Sequence, residues 1–149
     1  MKRFEFNLQS VRDLRDREEG RARAEYAKAM RLMEAFNVRR RDIEQAIKDN
    51  LGKSRRKYSK PMRSDWLTRQ RKLLAALKDR LQSMEPEGLE LKKFVDGKWR
   101  NLVGARQKRE ALDKLRDKQQ QAHDHQTERN EQLSMDEMAS LRATSPRMI

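Results

Sequence analysis

The chain of 149 residues contains no cysteine, so it can form neither a disulfide framework nor a thiolate metal site, and it suits a reducing, cytoplasmic compartment. Proline (3), glycine (5) and aromatic residues (5%) are scarce, and only 35% of the chain is hydrophobic. That is too little apolar surface for a conventional globular core of this length. With 41% of residues charged, the composition matches a long helix or coiled coil. Long apolar runs are also missing. The opening Met1-Lys2-Arg3 has the charge of a signal peptide, but polar residues separate Phe4, Phe6, Leu8 and Val11, so no apolar region follows. No segment approaches the roughly 20 apolar residues of a membrane span. A Gly-rich phosphate loop, a Cys nucleophile and a Glu/His pair at metal spacing are all lacking, and a thin two-arm rod offers no cleft. We therefore expect no catalysis and no cofactor.

What is present is periodicity. In residues 67–84, LTRQRKLLAALKDRLQSM, the positions Leu67, Gln70, Leu74, Leu77, Leu81 and Met84 follow in steps of three and four. Such a repeat keeps its seam on one side only if the helix winds around a partner. The same phase continues through Gly88, Leu91, Val95, Lys98, Leu102, Ala105, Arg109 and Leu112. Leu73, Leu89, Phe94 and Trp99 lie off it and mark extra packing or a partner site. Pro86 predicts a kink or break in this second arm. Upstream, Phe4, Leu8, Val11, Arg15, Glu18 and Ala22 hold one phase, and Ala22, Tyr26, Ala29, Met33, Phe36, Arg40, Ile43 and Ile47 hold another. The join is a stutter, with Gly20 beside it, where we expect the helix to be loosest. Arg39, Arg40 and Arg41 read as a solvated face.

Gly52 reads as a helix stop and Ser64 as a cap. The expected fold is all-α: one antiparallel two-helix coiled-coil hairpin over 1–142, with a first arm at about 4–51, a turn at 52–64, a second arm at about 65–141 and a disordered tail at 143–149. A turn centred near 58 puts residue 4 opposite residue 112, so that 113–134 overhangs as a solvated helix. His123 and His125, two apart, point to different helix faces and make a poor metal pair. Ser134 and Glu137 have capping-box spacing.

The charge, +13 overall, is uneven. Residues 1–63 carry 19 basic and 10 acidic side chains, whereas 121–141 carry Arg129 against Asp124, Glu128, Glu131, Asp136 and Glu137. The turn holds Lys53, Arg55, Arg56, Lys57, Lys60 and Arg63 with Tyr58 and no acid. These residues read as a solvated tip or as a grip on phosphates. A basic coiled-coil nucleic-acid binder and a homo-oligomeric structural coiled coil both remain open on charge and periodicity alone.

The two chain ends add a resemblance. Phe4, Phe6, Leu8 and Val11 leading into Arg15, Glu18 and Glu19 resemble the opening of the flagellar export protein FliJ family. Glu131-Gln132, Asp136-Glu137, Ala139 and Arg142, in an E-Q-x-x-x-D-E-x-A-x-x-R finish, resemble its C-terminal arm. Pro86 and Gly88 depart from that family's less interrupted second arm. The resemblance implies a coiled-coil component of type III export, similar to the gamma stalk of rotary ATP synthases. It implies binding to a hexameric export ATPase (FliI-like) through Phe4, Leu8, Arg12, Arg15, Gln132, Asp136 and Glu137. It further implies contact with an export gate membrane protein (FlhA-like) through Leu73 and Leu77, near the turn. Export chaperones are further implied partners, specific nucleic acid is not, and the location would be peripheral at the inner face of the membrane through those partners.

Overall fold

A computed structural model describes residues 2–57 and 64–144, with the side chains of 54–57 excepted. Its two elements are α1 (Gln9–Lys57) and α2 (Ser64–Thr144), and the described residues contain no strand. Among the described residues no helix is long and apolar enough to cross a membrane. The chain divides into two compact units, Gly20–Val103 and the pair Met1–Glu19 with Gly104–Ile149. In each, α1 and α2 run antiparallel.

The Gly20–Val103 unit is built on the expected seam. Ala29, Phe36, Ile43 and Asn50 recur every seven residues on α1 and are all buried. On α2, Gln70, Leu74, Leu77, Leu81, Met84, Gly88, Leu91, Val95, Lys98 and Leu102 are all buried or half-buried. The core joins Phe36, Ile43 and Met84, with Ile47, Leu77, Leu81 and Leu91 packed against it. Gln70, the one polar member of the initial six, accepts a 2.7 Å hydrogen bond from the amide of buried Asn50. A polar pair at such a seam fixes register, because any slip would bury both groups unpaired. The Arg39–Glu87 pair (2.9 Å) and the tilted Tyr26–Trp99 rings, 5.3 Å apart, bridge the same helices from the flanks. The structure places Arg40 half exposed, with Glu44 4.0 Å away.

Several boundaries differ from the periodicity reading. The helix α2 is unbroken through Pro86, which lies on its exposed side. Met84 and Gly88, on either side of it, are held against α1, and this packing carries the helix past the missing N–H. The first helix does not stop at Gly52, whose φ is negative as in any helix, but continues to Lys57. The turn residues Tyr58, Lys60 and Arg63 lie outside the described residues, as does the tail from 145. Ser134 sits inside α2 and therefore caps nothing.

The register also differs. Phe4 packs on His123, not opposite residue 112. Two causes combine. Lys57 and Ser64, the last and first described residues of the two helices, have their midpoint beyond 58. Residues 2–6 are non-helical, and such residues reach up to about 3.3 Å each against 1.5 Å in a helix, so Phe4 travels farther along α2.

Gly88 departs from a regular helical sequence for a reason visible in the packing. A Cβ built there would lie 2.9 Å from Phe36 Cζ and 3.0 Å from its Cε1. Glycine in a helix costs about 1 kcal/mol relative to alanine, but it admits a ring that is only 2% exposed. Gly88→Ala should therefore lower the urea midpoint despite its better helix propensity. Added to Phe36→Leu, the same change should be neutral or stabilising, a coupling of about 1 kcal/mol or more between contacting sites. A single Gly88→Ala variant more stable than the parent would show that the ring yields freely and that the close approach is unimportant.

Candidate functional site

Four of the residues matched to the chain ends, Phe4, Leu8, Arg12 and Arg15, lie in the unit formed by Met1–Glu19 and Gly104–Ile149, as do Gln132, Asp136 and Glu137. Here the seam is charged. Arg12, Arg15 and Glu19 are the inward positions of α1, not Val11 and Glu18, and the spacing from them to Ala22 and Tyr26 keeps alternating three and four. No stutter is therefore needed. Arg12 Nε donates to Asp113 Oδ1 (2.8 Å), and Arg109 Nη1 donates to Asp113 Oδ2 (2.7 Å). Arg109 Nε also donates to Glu19, whose other oxygen lies 3.6 Å from Arg106 Nε. The Glu19 side chain is 1% exposed. A carboxylate so placed is tolerable only because guanidinium groups satisfy it.

Asp113 receives two of these donors. The hydrogen bond from Arg12 holds its carboxyl below the ordinary carboxylate range, against the opposing effect of burial, and the bond from Arg109 adds to this. The N-terminal segment closes over α2 just beyond. Phe6 is buried, its carbonyl accepts from Gln9 N at 3.1 Å, and the carbonyl of Leu8 accepts from Arg12 N at 2.8 Å as α1 begins. The Phe4 ring tilts on the imidazole of His123 with centroids 5.6 Å apart. The Nδ1 of His123 is buried without a hydrogen-bond partner and lies 3.8 Å from Asp124 Oδ1.

From Glu128 to Thr144 every residue of α2 is exposed. Leu133, Met135, Met138 and Leu141 are 60–69% exposed, far more than a solvated helix needs from its apolar side chains. Gln132 donates to Asp136 at 3.3 Å along the same helix, and Glu137 is exposed. The polar ones among the matched residues thus fall into two groups. Arg12 and Arg15 are engaged within the chain, Arg15 with Glu18 at 2.9 Å, whereas Gln132, Asp136 and Glu137 stand on the exposed helix. In the other unit Leu73 is 49% exposed, and Leu77 packs against the Phe36 core. Sequence reasoning missed Arg109 and Asp113 as a clamp and the Leu133–Met135–Met138–Leu141 group. The opposite charges facing one another at three-four spacing would have shown the first.

Two antiparallel helices, paired along a seam that is apolar in the Gly20–Val103 unit and charged in the other, define a helical hairpin of the coiled-coil class. The chain belongs to the FliJ family: the family model described as Flagellar FliJ protein matches residues 4–147. Membership places it among export-related proteins of the flagellum. No curated protein and no solved structure matches it significantly.

The clamp on Asp113 has a defined pH dependence. Its carboxyl is depressed in the folded chain, so its contribution is complete above the ordinary carboxylate range and is lost as pH falls through the depressed value. Asp113→Asn should lower stability at pH 7 by about 1–2 kcal/mol, discounted for partial exposure. Circular-dichroism melts from pH 7 to pH 2.5 should show the gap between parent and variant closing. A gap constant over that range would exclude the ionised carboxylate as its source.

Proposed function

We propose that this protein is a stalk-like component of flagellar type III export that binds the hexameric export ATPase through its paired chain ends. The observation that supports this most is the fully exposed stretch of α2 at residues 128–144. It carries four solvent-facing Leu and Met side chains beside Gln132, Asp136 and Glu137, in the segment that matches the family's C-terminal arm. Such a helix contributes little to its own fold, and mixed apolar and acidic exposure is what a protein partner uses. Phe4 and Leu8 lie on the same unit, while Arg12, paired with Asp113 of α2, holds the N-terminal arm in place for the contact. Asymmetric contact of one hairpin with a ring of six subunits would bias their states differently, which is the requirement for coupling. Leu73, exposed near the turn, is the candidate contact for the export gate, with Leu77 packed behind it. Location at the inner membrane face would follow from these partners.

A chain ending at Glu131 removes Gln132, Asp136, Glu137 and all four exposed apolar side chains while leaving the Arg12–Asp113 and Phe4–His123 contacts intact. It should keep a melting temperature close to that of the full chain, lose ATPase binding and fail to restore swimming in cells lacking the protein. The charge reversals Asp136→Lys and Glu137→Lys should do part of the same, more strongly at low salt, since exposed charges are screened beyond about 10 Å at 0.1 M. If the shortened chain binds the ATPase ring as tightly as the parent, the contact lies elsewhere.

A further inference from the structure

Nearly all the excess charge belongs to one unit. Gly20–Val103 holds 23 basic and 11 acidic side chains, and the other unit holds 14 and 13. Within Gly20–Val103 the excess gathers toward the turn. Lys48, Lys53, Arg69, Arg71, Lys72, Lys78 and Arg80 are all exposed there, with Asp49, Asp65 and Asp79 as the neighbouring acids. Farther from the turn Lys28, Arg39, Arg40, Arg41, Lys93 and Lys98 are each within 4.0 Å of a carboxylate, whereas Arg21, Arg31, Lys92 and Arg100 have no such pair among the described residues. None of the seven cations near the turn forms an ion pair among the described residues, although three acids lie close in sequence. Asp49 instead accepts from Gln45 at 2.9 Å. Unpaired cations held on a folded end are free to meet an external anion.

From these observations we propose that the exposed cations at residues 48–53 and 69–80 of the Gly20–Val103 unit dock directly on anionic phospholipid headgroups. A nucleic acid would be met along one face of the hairpin, by phosphates in a line. The cations here are not in a line. Arg69 lies on one flank of the Gln70–Leu74–Leu77 seam, Arg71 on the other and Lys72 on the side opposite it, while Lys48 and Lys53 belong to α1. A headgroup layer is fluid and can close around cations on all of these sides together. The side chains among the cations point the same way. Leu51 and Leu73 are exposed and Trp66 is half-buried. Apolar and indole groups mixed with Lys and Arg settle at a membrane interface. The contact requires no other protein, and it is independent of ATPase binding.

The test is co-sedimentation of the full chain with vesicles of 30% phosphatidylglycerol in phosphatidylcholine at 0.1 M salt. Pure phosphatidylcholine and a short DNA duplex serve as the other arms. Binding to the anionic vesicles only, weakened at least about tenfold by 0.5 M salt, is expected. Replacing Arg69, Arg71 and Lys72 by Ser should cost roughly a hundredfold in vesicle affinity, from the contribution of each basic residue at such a surface. Replacing Lys108, Lys114 and Lys118 by Ser removes the same charge from the other unit and should cost less than about threefold. Circular dichroism on both variants should match the parent. Equal loss in the two triple variants, equal binding to neutral vesicles, or tighter binding to the duplex than to the anionic vesicles would each overturn the proposal.

Discussion

Neither helix of this chain can cover its apolar stripe alone, and everything else in the structure follows from how each meets the other. A repeat averaging 3.5 residues leaves a narrow seam, and a narrow seam can be buried only against another of the same kind. Where the seam is apolar, at Phe36, Ile43 and Met84, burial sets the pairing. Where apolar residues run out, guanidinium–carboxylate clamps take over at Arg12, Glu19, Arg109 and Asp113. The change of chemistry has a purpose in balance. A charged seam gives less net stability than an apolar one but is specific about its partner, since each misplaced group would be buried without its counter-charge.

The sequence-level description of α2 was close to complete between Gln70 and Leu112, because every seam position there is buried or half-buried and the three-four alternation is uninterrupted. On α1 the same was true from Ala22 to Ile47 except at Arg40, which is half exposed. The reading failed where it equated inward with apolar. Val11 looked like a seam residue and Arg12 did not, yet Arg12 faces Asp113 while Val11 is partly exposed. The choice between neighbouring positions in a helix is made by the partner's side chains, and those are not visible in one strand of a pair. Gly52 misled for a similar reason. Glycine permits a helix stop but does not impose one when the flanking residues are good helix formers.

The candidate site was legible unevenly. Gln132, Asp136 and Glu137 stand exposed on α2, as expected of residues available to another protein, and the short end motifs drew attention to them. Arg12 and Arg15 drew attention through the same motifs, but within the chain they make ion pairs, Arg12 across to Asp113 and Arg15 with Glu18 on its own helix. Leu133, Met135, Met138 and Leu141 were missed because four isolated apolar residues in a polar segment look like background. Only their exposure of 60–69% among the described residues gives them significance.

Gly88 carries one more consequence. Along α2 the seam positions one heptad away on either side are Leu81 and Val95. If the two helices slid past each other by seven residues, hydrophobic periodicity would still be satisfied almost everywhere, but the Phe36 ring would face a leucine or a valine instead of an open backbone. The single missing side chain therefore acts as a keyhole, and Phe36 as the key that enters at one alignment. A repeat sequence, which by its nature cannot count its own repeats, is given an origin from which the rest of the pairing is measured.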